Sequence, residues 1–365
     1  MQFLFRSQSV RLYGLLLLLT IAAFESYAAD LTTLSKPLKL ETKHITVSGL
    51  SAGAFMAQQL HLSHSSRIEG VGIIAGGPYR CAAGHYAPSP WDFTGLYAAL
   101  HVCMHTSPMD VMSPAPDVAF SLAETQRLAK AKQIDPTTYL ANSRVWLFSG
   151  ARDSLVPQAI MDKVADYYGH FVPAKQLAYV KHPEAGHALI TEDEGSRCAA
   201  IKPPFVNDCD VDSVGLMLQH FYGTLRAKTK ARPQALYTFN QEAFFNKRDD
   251  KISLHNKGHV YIPSACQQGK PCRLHIALHG CMQNQDTVGD TFYSKSGYNE
   301  WAESNQLVIL YPQVKASSGF WGADIFRNLG ACWDWWGYSG ADYATRKGKQ
   351  IQAIMRMMDT LTQNN

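Results

Sequence analysis

At 365 residues, 46% of them hydrophobic, the chain is long enough to bury a full core, and its formal net charge of +4 is too small to point to nucleic acid or an anionic membrane. Beyond residue 29 no run of eighteen uninterrupted apolar residues occurs, so no stable membrane insertion is expected of the mature chain.

The first 29 residues read as an export signal. Arg6 and Arg11 form a positive start, Leu15 to Phe24 an apolar run too short to span a bilayer, and Ser26-Tyr27-Ala28 a small-residue cleavage region ending after Ala28 or Ala29. Removing the signal leaves about 337 residues, read as a single catalytic domain over 30–365. Short β-branched runs then alternate with helical patterns. The strand runs are HITVSG (44–49), VGIIAGG (71–77), RVWLFSG (144–150), QLAYV (176–180), HVYIP (259–263), LHIALHG (274–280) and LVILYP (307–312). Helical patterns cover 52–64, 120–132, 157–170, 211–225, 295–305 and 342–361. Alternation of this kind predicts an α/β fold with a mostly parallel sheet and helices on both faces. Parallel sheets of this class place their sites at the carboxyl ends of the strands. The basic run Arg226 to Arg232 reads as a solvated connector rather than a binding patch.

All eight cysteines follow the signal, which implies disulfides in an oxidising compartment, secreted or periplasmic. Eight cysteines allow 105 pairings. Nearness along the chain suggests Cys81 with Cys103, Cys198 with Cys209 and Cys266 with Cys272. Cys281 and Cys332 would then meet, since both loops should leave the same sheet edge; two free buried thiols are the alternative. No Cys or His cluster has metal-site spacing, so no metal is expected.

The chemistry starts at Gly49-Leu50-Ser51-Ala52-Gly53, a G-x-S-x-G between a strand and a helix. A serine hydroxyl needs a sharp turn to expose it and a base to activate it. Asp153 follows RVWLFSG, and His187 follows QLAYV in the loop HPEAGHAL, with His182 its nearest rival. The order Ser51, Asp153, His187 is that of the α/β-hydrolases. The oxyanion hole would take one N–H from Ala52 and another from Cys281, at the end of LHIALHGC. In that fold the oxyanion strand precedes the nucleophile, whereas here it follows by more than two hundred residues. Reading from about residue 257 restores the usual order, so the chain is expected to be circularly permuted, with 223–257 bridging the old ends. Trp333, Trp335 and Trp336, in CWDWWGYSG, crowd too closely for all three to face one core, so at least one is expected to line a surface or cleft and to bind substrate.

LHIALHGC, LVILYPQ, ACWDWWG, VSGLSAGAFMA, GARDSLVP and EAGHAL resemble the catalytic domain of extracellular-type polyhydroxybutyrate depolymerases. The permuted order is similar to the single-domain members of that family. The resemblance implies an α/β-hydrolase fold and a serine esterase acting on poly(3-hydroxybutyrate) or its oligomers through an acyl-enzyme, with no cofactor. It also implies Ser51, Asp153 and His187 as triad and Ala52 and Cys281 as oxyanion donors. Feruloyl and acetylxylan esterases share the single motifs, and a silent surface-binding protein on the same scaffold is the reading of another class.

Overall fold

The computed structural model describes residues 28–83, 94–104 and 116–363, so all but the last two residues of the expected signal lie outside the described residues. In chain order the described strands are β1 (Lys39–Leu40), β2 (Ile45–Leu50), β3 (Ile68–Ile74), β4 (Arg144–Gly150), β5 (Leu177–His182), β6 (Leu189–Thr191), β7 (Ser196–Arg197), β8 (Val206–Asp208), β9 (Leu236–Asn240), β10 (Lys257–Tyr261), β11 (Pro271–Leu278) and β12 (Leu307–Tyr311). Nine of them make one sheet in the order β5-β4-β3-β2-β11-β12-β10-β9, with β1 added on β11. Pairing is parallel from β5 to β12 and antiparallel at β12–β10 and β10–β9. Every residue of β2 and of β12 is buried, so both faces of the sheet are covered there.

The topology carries the permutation. Counting strands from β9 to the C-terminus and on from β1, β11 is third and β2, which leads into Ser51, is sixth, yet they lie side by side, with Leu278 opposite Gly49. The C-terminal helix Lys349–Thr362 packs on the N-terminal helix Leu31–Ser35 and on β1, so an uncut chain could pass directly between them. Its buried residues Ile351, Ile354, Met355, Met358 and Leu361 recur every three or four positions, the spacing of one helical face. The segment expected as a bridge holds an additional strand, β9, with the antiparallel β10 beginning at its far end. Only the stretch between Gly223 and the short turn at Pro233–Ala235 is extended connector. Its basic run is exposed from Arg226 to Lys230 and tied down by Lys228, which reaches Glu192 at 2.6 Å and Asp212 at 2.9 Å. A small second sheet, β6-β8-β7, also departs from the sequence reading. Strands of two or three residues are too short to register as periodic patterns.

The core hides several imidazoles. His275 on β11 contacts Thr46 Oγ1 through Nδ1 at 2.6 Å and Ser48 Oγ through Nε2 at 2.8 Å. His61 lies between Tyr168 OH at 3.1 Å and Ser143 Oγ at 2.8 Å. Burial pushes the pKa of both down to about 3, and that of His279 to about 4. In the unfolded chain these rings protonate near 6.5. Below that pH the unfolded state therefore binds protons that the folded state refuses. Their contribution is complete above pH 6.5 and is lost as pH falls toward 3–4. Each should steepen the loss by about 1.4 kcal/mol per pH unit once pH is well below 6.5. Urea midpoints should therefore be flat from pH 8 to 7 and drop markedly by pH 5. A midpoint unchanged at pH 5 would show that the rings are not held neutral.

Candidate active site

Ser51 sits where β2 ends and the helix Ala52–Ser63 begins, at φ 55° and ψ −120°. A serine in the left-handed region is strained, and the strain persists because both sides of the turn are fixed. Its N–H donates to Ile74 O at 2.9 Å, and its carbonyl accepts from Ala54 and Phe55 at 2.8 and 3.1 Å. The two motif glycines are dictated by contact. A methyl on Gly49 would fall 2.2 Å from Gly53 C, and one on Gly53 2.2 Å from Leu278 O. The first lets the helix double back over its own strand, and the second lets it press on the oxyanion strand.

Asp153 follows β4 and is buried, with both oxygens in use. Oδ1 accepts the N–H groups of Leu155 and Val156, each at 2.9 Å. Oδ2 accepts from His187 Nδ1 at 2.8 Å. Donation from Nδ1 leaves the Nε2 lone pair of a neutral ring free to take a proton. The His187 loop is itself stapled, since the Gly186 N–H donates to the carbonyl of Cys198 at 2.8 Å and Cys198 is bonded to Cys209. Phe205 meets the His187 ring edge-on at 6.0 Å. The rival His182 is occupied elsewhere, its Nδ1 accepting the Glu184 and Ala185 N–H groups at 3.3 and 3.1 Å. No hydrogen bond joins Ser51 Oγ to His187 among the described residues. Such bonds commonly close only around a bound substrate.

The loop after β11 lies against Ser51. A methyl on Gly280 would stand 3.3 Å from Leu50 O and 3.4 Å from Ser51 Cβ. Cys281 is next in the chain, disulfide-bonded to Cys332 with Cα atoms 4.3 Å apart. The Met282 N–H adds a bond to Gly330 O at 2.6 Å. The remaining disulfides are Cys81–Cys103 and Cys266–Cys272.

The tryptophans depart from the sequence reading. Trp333, Trp335 and Trp336 are all buried, at 0%, 3% and 7% exposure, so none stands out on the surface. The carboxylate of Asp334 folds their segment inward. Its Oδ1 accepts the N–H groups of Trp336 and Gly337 at 3.2 and 2.7 Å, and its Oδ2 that of Ser339 at 2.8 Å. Around this knot Trp335 stacks on Phe55 at 5.1 Å and Trp333 tilts against His279 at 5.7 Å. The aromatic side chains thus brace the nucleophile helix and the oxyanion strand. Asp334, Gln283 and the side chain of His279 were not singled out by sequence reasoning. Their burial is evident only once distant segments are brought together.

No family model matches the chain. It is 38% identical over 330 residues to the poly(3-hydroxybutyrate) depolymerase of Delftia acidovorans, covering 89% of this chain and 61% of that one. It is 29% identical over 320 residues to the polyhydroxybutyrate depolymerase of Talaromyces funiculosus, covering 85% and 87%. Among solved structures, a PHB depolymerase complexed with an R3HB trimer matches with a TM-score of 0.77 and 27% identity, covering 90% of this chain and 98% of that one. The PHB depolymerase crystal structure from Penicillium funiculosum also matches at 0.77, with 26% identity and the same coverage. This chain is similar in sequence and fold to the polyhydroxybutyrate depolymerases. It spans 61% of the length of the Delftia relative and nearly all of the two solved depolymerases, so the shared part is the α/β-hydrolase fold just described.

Replacing the candidate nucleophile tests the site directly. Ser51→Ala should lower kcat on p-nitrophenyl butyrate by about 10⁶-fold. Its urea midpoint should stay close to the parent value. Retention of more than a few per cent of the activity would move the nucleophile elsewhere.

Proposed function

We propose that this protein is an exported serine esterase that hydrolyses poly(3-hydroxybutyrate) or its oligomers. The observation that carries the esterase chemistry is the convergence at one sheet edge of the strained Ser51 turn, the Asp153–His187 pair and the Gly280–Cys281 loop. His187 Nε2 takes the Ser51 proton as Oγ attacks the ester carbonyl, and returns it to the departing alcohol. The oxygen of the tetrahedral intermediate is held by the N–H groups of Ala52 and Cys281, at the ~2.7–3.1 Å such donors require. Water, deprotonated by His187, then releases the hydroxyacid. Asp153 keeps the ring in the required tautomer throughout. A nucleophile, a base and two donors supply every step, so the reaction calls for no cofactor.

The substrate class rests on two supports. The relatives are named for this polyester, and one solved relative is complexed with an R3HB trimer. Met282, the neighbour of Cys281 in the chain, is moreover exposed, an apolar side chain suited to a methyl-bearing ester. Export is supported by four disulfides and by the leader-like first residues. Among the described residues no helix is long and apolar enough to cross a membrane.

A side-by-side assay decides the substrate. Release of 3-hydroxybutyrate or short oligomers from amorphous polymer is expected, with little action on methyl ferulate or acetylated xylan. Faster turnover of ferulate or of xylan acetate than of hydroxybutyrate oligomers would reassign the enzyme to plant polysaccharide esters. An inert protein that still adsorbs to the polymer would support a binding role.

A further inference from the structure

The peptide group of Gly280 is held on both sides by buried side chains. Its N–H donates to Gln283 Oε1 at 2.7 Å, and its carbonyl contacts His279 Nδ1, also at 2.7 Å. His279 and Gln283 are both completely buried. The far ends of these side chains are committed as well. The Val314 N–H donates to His279 Nε2 at 3.2 Å, and Gln283 Nε2 donates to the carbonyls of Pro204 and Phe205 at 2.9 and 3.1 Å.

These partners determine where the ring proton is. A backbone N–H can only donate, so Nε2 carries the lone pair and Nδ1 the hydrogen. The Gly280 carbonyl is therefore the acceptor of an N–H from His279. That carbonyl and the N–H of Cys281 belong to one planar trans peptide and point in opposite directions. Anchoring the oxygen on His279 thus aims the Cys281 N–H, which donates to no group among the described residues. Gln283 does the complementary job. It occupies the neighbouring Gly280 N–H, so that this donor does not compete for the same oxyanion. Through Pro204 and Phe205 it also ties the loop to the segment packed on the ring of His187.

We propose that His279 and Gln283 are positioning residues, a buried clamp on Gly280 that presets the Cys281 N–H for the tetrahedral intermediate and keeps it in register with His187. The inference rests on the esterase reading above. Its energetic basis is that an oxyanion donor is effective only when it need not reorient during the reaction.

The test uses the full-length protein with p-nitrophenyl butyrate as substrate and butylboronic acid as mimic of the tetrahedral state. His279→Leu removes the donor and should lower kcat about 100-fold, the scale of losing one oxyanion donor. KM should stay within about twofold, and boronate affinity should fall roughly in step with kcat. His279→Asn can place an amide N–H near the Nδ1 position and should recover at least tenfold of the lost kcat. Gln283→Met keeps the shape without the hydrogen bonds and should lower kcat by about tenfold, again with KM little changed. A merely structural role would lower the urea midpoint while leaving kcat and boronate affinity per folded molecule unchanged, and that result would overturn the proposal. A kcat loss without weaker boronate binding, or without recovery by His279→Asn, would overturn it too. Should His279→Leu not fold, the other two variants decide. The proposal then requires His279→Asn to stay within about tenfold of the parent in kcat and Gln283→Met to lose about tenfold, with boronate affinity falling in step with kcat in both. An inert parent protein would refute the esterase reading and this inference together. An active parent silenced by Ser51→Ala, with clamp variants unaffected, would refute the inference alone.

Discussion

The parallel pairing of β2 with β11 is the contact on which the rest of the molecule depends. It sets Gly49 opposite Leu278, and the helix after β2 then has to pass so close to Leu278 that only glycine is accommodated at residue 53. The nucleophile turn and the loop carrying Cys281 are both products of this single junction. Side chains reinforce it from below, where His275 links Thr46 to Ser48 and the chain of contacts extends to Tyr222 and Tyr298. Buried polar groups of this kind stabilise only one register, because a slip by one residue would leave every partner unsatisfied.

Much of this was legible in the sequence because the signals are local. RVWLFSG is a strand over the residues read from its β-branched and aromatic content, and the helix after Ser51 starts at Ala52, as the strand–turn–helix setting of the motif expects. Asp153 and His187 could be chosen because each closely follows a strand, and strand ends share one edge in a parallel sheet. Other features were not legible. β9 is a half-exposed edge strand beside a basic stretch, so neither alternation nor apolar content marks it. The roles of His279 and Gln283 depend on Val314, Pro204 and Phe205, none of them near in sequence.

The tryptophan segment shows how a polar residue can reverse an inference from side-chain crowding. Three large rings within four positions cannot share one face of a helix or strand. Wrapped about a single carboxylate, however, the backbone turns tightly enough for all three rings to be buried, Trp336 edge-on against Trp335 at 4.4 Å. Burial raises the pKa of Asp334, opposed by the hydrogen bonds it accepts from Ser339, Gly337 and Trp336. Its carbonyl also accepts from Gln59 Nε2, and its N–H reaches Gln350 Oε1, both at 2.9 Å. The knot is thereby locked to the nucleophile helix and to the C-terminal helix, joining the beginning and the end of the catalytic fold.

The permuted strand order bears on how the protein comes into being. A ribosome delivers the chain from its N-terminus, so Ser51, Asp153 and His187 all emerge before any part of β11 exists. Until then β2 is an unpaired edge on one side, and the contact that requires Gly53 has nothing to press against. The order of the strands thus imposes a delay, in which the nascent polypeptide carries Ser51 through most of synthesis before the strand it is placed against exists.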